Sequence, residues 1–125
     1  MNTYQSGTLF IVATPVGNLG DMVPRAVDTL QSVSVIACED TRHSKKLLDY
    51  FNIDTPRISY HDHTDQKATE KIIDRLNRGK SVALISDAGT PLISDPGYRL
   101  VAEARKRNLD VIPIPGACAA ISALS

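Results

Sequence analysis

The sequence predicts an α/β fold, a three-layer sandwich around a five-stranded parallel sheet. Five short runs rich in valine and isoleucine recur along the 125 residues: TLFIVAT (8–14), VSVIAC (33–38), RISY (57–60), SVALIS (81–86) and DVIPI (110–114). They are near-continuously apolar rather than strictly alternating, which is the pattern of strands buried on both faces, as in a parallel sheet. Between them the spacing of apolar residues becomes helical. The order is therefore βαβαβαβαβ, and each crossover should be right-handed.

After the first run, Pro24 falls in a first helical turn and is followed by Val27 and Leu30, three apart. From Thr41, the residues Leu47, Leu48 and Phe51 fall on one helical side. From Asp65, Ala68, Ile72, Ile73 and Leu76 make an apolar stripe, which Gly79 closes at a C′ position. From Pro96, Leu100, Val101 and Ala104 make another, with Asp95 as N-cap and Pro96 at N1. The last eleven residues, PGACAAISALS, open a small-residue apolar helix that needs something to pack on. Residues 1–125 are thus expected to be one N-terminal domain of a longer protein.

Composition excludes several function classes. Lysine plus arginine and aspartate plus glutamate balance at 14 each, so no global basic field advertises nucleic-acid binding and any such contact needs a local patch. Cys38 and Cys118 lie in apolar contexts without metal-ligand spacing, as buried thiols in a reducing compartment do. The N-terminus lacks the basic-then-apolar pattern of a secretory signal, and no run approaches the ~18 apolar residues of a membrane span. A cytoplasmic protein is expected.

In open α/β sheets ligands gather at the carboxyl ends of the strands, so the segments leaving those ends are where chemistry is sought. PVGNLGD (15–21) has two glycines but neither the full dinucleotide fingerprint nor a P-loop lysine, and equally suits a plain turn into a helix. SDAGTPLISDPG (86–97) is informative for what it lacks: it bears Asp87 and Asp95 and no cation before Arg99. A polyphosphate site wants glycine amides together with lysine or arginine. A small ligand carrying positive charge, such as S-adenosyl-L-methionine, fits this segment better. Asp95 serves its helix as a cap, while Asp87 either orders the turn or borders the ligand.

In EDTRHSKK (39–46), Glu39 and Asp40 adjoin a strand end, and adjacent residues of an extended chain diverge, so at most one faces a ligand. Arg42, Lys45 and Lys46 lie roughly opposite the apolar stripe. They form either the solvated side of an amphipathic helix or, through Arg42, a phosphate contact beside the cleft. His61 and His63 flank Asp62 with no third ligand nearby in sequence, so they are read as polar loop histidines and no metal site is expected. Arg105, Lys106 and Arg107 suit a helix C-terminus electrostatically.

Four segments, TPVGNLGD, CEDTRHS, SDAGTPLISDPG and PIPGACAAISAL, in this order and spacing, resemble the tetrapyrrole methylase superfamily and most closely its small subunit ribosomal RNA methyltransferase I branch. GTPLISDPG is the most specific of the matches, and the similarity spans the chain but only the N-terminal half of such a two-domain enzyme. The resemblance implies S-adenosyl-L-methionine-dependent 2′-O-methylation of a cytidine ribose in 16S ribosomal RNA. It places Asp87, Ala88, Gly89 and Thr90 against the cofactor, with Cys118, Ala119 and Pro15 as further cofactor contacts. It also implies that the C-terminal domain is absent from this chain and that the isolated fragment is inactive.

For the chemistry, Asp40 is the candidate base for the ribose hydroxyl and Arg42 its partner, with Glu39 and His61 as alternatives. The partners expected are 16S ribosomal RNA or the small ribosomal subunit and, in the full-length protein, a second copy in a homodimer; no membrane is expected. Two rival readings stay open: methylation of a corrin or porphyrin-type molecule on the same scaffold, and a non-catalytic nucleotide-binding module. The latter calls for a cation-bearing glycine loop, which is missing.

Overall fold

The computed structural model describes residues 7–13, 22–38, 41–59, 65–86 and 95–114. Along the chain they form β1 (Thr8–Ala13), α1 (Pro24–Ser32), β2 (Val35–Cys38), α2 (Thr41–Tyr50), β3 (Arg57–Ser59), α3 (Asp65–Asn77), β4 (Val82–Ser86), α4 (Asp95–Lys106) and β5 (Asp110–Ile114). All pairings are parallel, and the sheet runs β3-β2-β4-β1-β5.

Period-two alternation divides the strand side chains between two apolar clusters. Leu9 and Ile11, Val35 and Ala37, and Val82 and Leu84 meet Ile72, Ile73 and Leu76 of α3 and Leu100, Val101 and Ala104 of α4. Val12, Ile36, Cys38, Ala83, Ile85 and Ile114 meet Ala26 and Leu30 of α1 and Leu47 and Leu48 of α2. The result is the three-layer sandwich the sequence predicts, with a core on each side of the sheet. It also explains why the inner strands read as continuous apolar runs: both of their faces are covered. β5 can hold Pro113 because it is an edge strand, where the absent N–H costs no central ladder bond.

Three helices end in the same way. After α3, Gly79 takes φ 84°; its N–H donates to the Leu76 carbonyl (3.1 Å) and that of Lys80 to Arg75 (3.0 Å). After α2, Asn52 takes φ 56°, with Asn52 donating to Asp49 and Ile53 to Leu48; after α4, Asn108 takes φ 60°, with Asn108 donating to Arg105 and Leu109 to Ala104. These are Schellman motifs, and the buried Ile53 and Leu109 supply the apolar contact that accompanies them. Gly79 is the stop that the sequence announces; the two asparagines do the same work less visibly, because asparagine tolerates the left-handed region. Helix α1 ends otherwise: Val33 is extended and donates to Thr29, and the Thr55 hydroxyl donates to the Leu30 carbonyl (2.7 Å). With Val33 bound to the helix, β2 starts at Val35 rather than at the expected residue 33.

The amino end of the sheet is tied down. The Ser34 amide and hydroxyl both donate to the Ser81 carbonyl (2.8 and 2.7 Å), and the Thr8 amide donates to the Ser81 hydroxyl (3.3 Å). Gly7 donates to the Leu76 carbonyl at the end of α3 (2.7 Å), and a Cβ on Gly7 would overlap the Lys80 backbone. Gly7→Ala is therefore expected to destabilise the protein by about 1–3 kcal/mol, the cost of forcing an extra carbon into packed backbone. A urea-midpoint shift equivalent to less than ~0.5 kcal/mol would show that the strand start moves aside.

Candidate functional site

The carboxyl ends of the strands lie side by side. Ala13 at the end of β1 is paired with Ser86 at the end of β4, Val12 with Ile114 at the end of β5, Ala37 with Leu84, and Cys38 with Ser59. The connections leaving these ends alternate between layers: β1 and β2 lead to α1 and α2 on one face, β3 and β4 to α3 and α4 on the other. Strand β4 sits between β2 and β1, and the helix after it, α4, lies on the face opposite α2 and α1, which follow those two neighbours. Divergence of this kind opens the crevice in which open α/β sheets bind ligands. The small residues Ala13, Ala37 and Cys38 stand at the ends of β1 and β2.

The segments bonded to these ends carry most of the predicted site residues. Pro15 falls in 14–21, Asp40 in 39–40, Asp87, Ala88, Gly89 and Thr90 in 87–94, and Cys118 and Ala119 in 115–125; all lie outside the described residues. So do Glu39, His61 and His63. Strand order thus brings together the attachment points of those segments. Cys38 carries a buried thiol whose Sγ donates to the Ile58 carbonyl (3.6 Å), in keeping with the burial expected of it.

Arg42 is the predicted site residue that the described structure contains. It is exposed, as the second residue of α2, the helix that follows β2. With Lys45 of the same helix and Arg57, Ile58 and Ser59 of β3, it lines an open groove of about 330 Å³. Lys45 also pairs with Asp49 one turn on (3.0 Å), both ends exposed, so the pair is worth little to stability. Arg57 and Ser59 are site-lining residues that the motifs do not mark. Their signal is the polar-apolar-polar order of RIS, which marks β3 as an edge strand with one open face.

Among the described residues no helix is long and apolar enough to cross a membrane, and no three His, Cys, Asp or Glu side chains gather as a metal-holding group. Of the basic run at the end of α4, Arg105 and Lys106 fall in the last helical turn, as expected, and Arg107 Nε meets Glu103 Oε2 at 2.7 Å.

Residues 8–125 match the model of the Tetrapyrrole (Corrin/Porphyrin) Methylases family. A curated relative from Synechocystis sp., named ribosomal RNA small subunit methyltransferase I, is 60% identical over 118 residues, which is 94% of this chain and 42% of the relative. One of the same name from Vibrio cholerae is 56% identical over 117 residues, 94% of this chain and 41% of its own length. The chain therefore spans less than half the length of these curated relatives. Among solved structures, cobalt precorrin-4 methyltransferase, a cobalamin biosynthetic enzyme, superposes with a TM-score of 0.72 at 17% identity, covering 87% of this chain and 45% of that one. That likeness is one of fold.

Proposed function

The chain belongs to the tetrapyrrole (corrin/porphyrin) methylase family, and on that premise we propose that the complete protein transfers a methyl group from S-adenosyl-L-methionine to the 2′-oxygen of a cytidine ribose in 16S ribosomal RNA. The observation that carries this is the 51–60% identity to ribosomal RNA small subunit methyltransferases I along nearly the whole chain. The substrate is the RNA itself or the small ribosomal subunit, the compartment the cytoplasm, and the working form a homodimer. Residues 1–125 make the N-terminal domain, and a second domain completes the cleft.

The residues fit the cofactor by the chemistry of their donor set. The sequence SDAGT (86–90) offers one carboxylate, main-chain amides and two hydroxyls, but no cation to hold a polyphosphate. Ala13, Ala37 and Cys38, all buried, give the carboxyl ends of β1 and β2 small side chains. Asp87, Ala88, Gly89 and Thr90 would hold the cofactor from the end of β4, Pro15 from the end of β1, and Cys118 and Ala119 from beyond β5. Bound there, it supplies an electrophilic methyl group on a sulfonium.

The protein's own part is positioning and proton transfer. Holding the ribose oxygen in line and near attack distance is worth up to ~7–11 kcal/mol in well-oriented systems. The Asp40 carboxylate accepts the proton of the 2′-hydroxyl as the oxygen–carbon bond forms, and Arg42 steadies the adjoining phosphate. Incubating the full-length protein with methyl-labelled cofactor and small ribosomal subunits should label one ribose of 16S RNA. Label that appeared in a corrin substrate and not in RNA would overturn the reading.

A further inference from the structure

We propose that the groove between α2 and β3 is a phosphodiester-binding track, in which Lys45 and Arg57, together with Arg42, hold the single-stranded RNA that flanks the reacting nucleotide; this rests on the RNA reading above. The chain as a whole carries no net charge, yet of the five described residues lining this groove three are cations and none is an acid, the exposed Lys45–Asp49 pair being one that a phosphate can displace. Arg42 and Lys45, three apart on α2, share a helical face. Arg57 and Ser59, two apart on β3, share a face of the strand. Because Ile58 packs with the α3/α4 cluster, alternation turns Arg57 and Ser59 toward the α2 side of the sheet, where the helix presents its cations.

An edge strand places this arrangement at the border of the sheet, and among the described strands β3 pairs with β2 alone. An open groove there admits a chain running through it rather than an enclosed small molecule. Two guanidinium forks suit phosphate oxygens, which they grip bidentately; the Lys45 ammonium acts as a point charge, and the Ser59 hydroxyl can donate to a phosphate or a ribose. The groove's location gives it a use. Arg42 lies at the start of the helix that follows segment 39–40, so a phosphate held there is close to the strand-end crevice. Contacts of this kind fix register rather than read bases.

The test uses the full-length protein and a fluorescent single-stranded RNA covering the methylated position, with affinity measured by anisotropy across a salt series. Removing one phosphate contact should flatten the slope of log K against log salt by about 0.7, so Lys45→Gln with Arg57→Gln should flatten it by about 1.4. Arg57→Lys should keep most of the slope, and cofactor affinity by calorimetry should be unchanged in all variants, showing an intact fold. A double variant with the wild-type slope, in a protein that still methylates RNA, overturns the groove and leaves the proposed function standing. Wild-type protein that neither binds nor methylates RNA overturns both. A double variant that stops binding a polyglutamate peptide while its RNA slope stays unchanged assigns the groove to an acidic protein partner and likewise overturns the proposal.

Discussion

Leu84→Ala should lower the stability of the protein by about 2–5 kcal/mol, the range for truncating a fully buried leucine where the surroundings cannot collapse. Leu84 is 2% exposed in the middle strand of the sheet, with Ile11 and Ala37 as its neighbours on either side. Backbone ladders to both β1 and β2 hold the strand in place, so relaxation into the void is restricted. Helices α3 and α4 cap the same cluster and are themselves held by Schellman stops. Against a total of about 5–15 kcal/mol for a domain, such a change is severe. The expected readout is a lowered urea midpoint at unchanged m-value. Leu84→Met, which conserves volume, should cost less than about 1.5 kcal/mol. A cost below ~1 kcal/mol for the alanine variant would mean that the α3/α4 cluster repacks.

Asp40→Ala in the full-length protein should reduce turnover by about 10²- to 10⁴-fold, the usual worth of a positioned proton acceptor, or roughly 3–5 kcal/mol in the barrier. The cofactor affinity should be unaffected, since the carboxylate is proposed to act on the ribose hydroxyl. Glu39→Gln supplies the comparison: consecutive residues of an extended strand end diverge, so the two variants should differ widely. Near-normal turnover with Asp40→Ala and a collapse with Glu39→Gln or His61→Ala would transfer the role to the latter residue.

The architecture was legible because both faces of the three inner strands, β1, β2 and β4, are buried, which writes them into the sequence as apolar runs. Boundaries were less so where hydrogen bonds decide them: Val33 belongs to the end of α1 by its bond to Thr29, although its side chain is buried like those of the strand that follows. Helix stops were legible at Gly79 and not at Asn52 or Asn108, since asparagine is common in loops for other reasons. For the site, sequence motifs pointed to the segments at the strand ends, but the α2–β3 groove joins residues that only strand order makes neighbours. Arg42 and Arg57 are brought together by the edge placement of β3, a long-range fact that no local spacing encodes.

The placement of β1 between β4 and β5 has a bearing on biosynthesis. Thr8 is paired with Asp110, about a hundred residues away, and Leu9 with Val82. At ~5–20 residues per second, β1 waits several seconds on the ribosome for either neighbour, while β2 and β3 can already pair with each other through the short α2 connection. Strand β1, made before the other four strands described, is therefore built in only after β4 has emerged, and its apolar run stays available to chaperones until then.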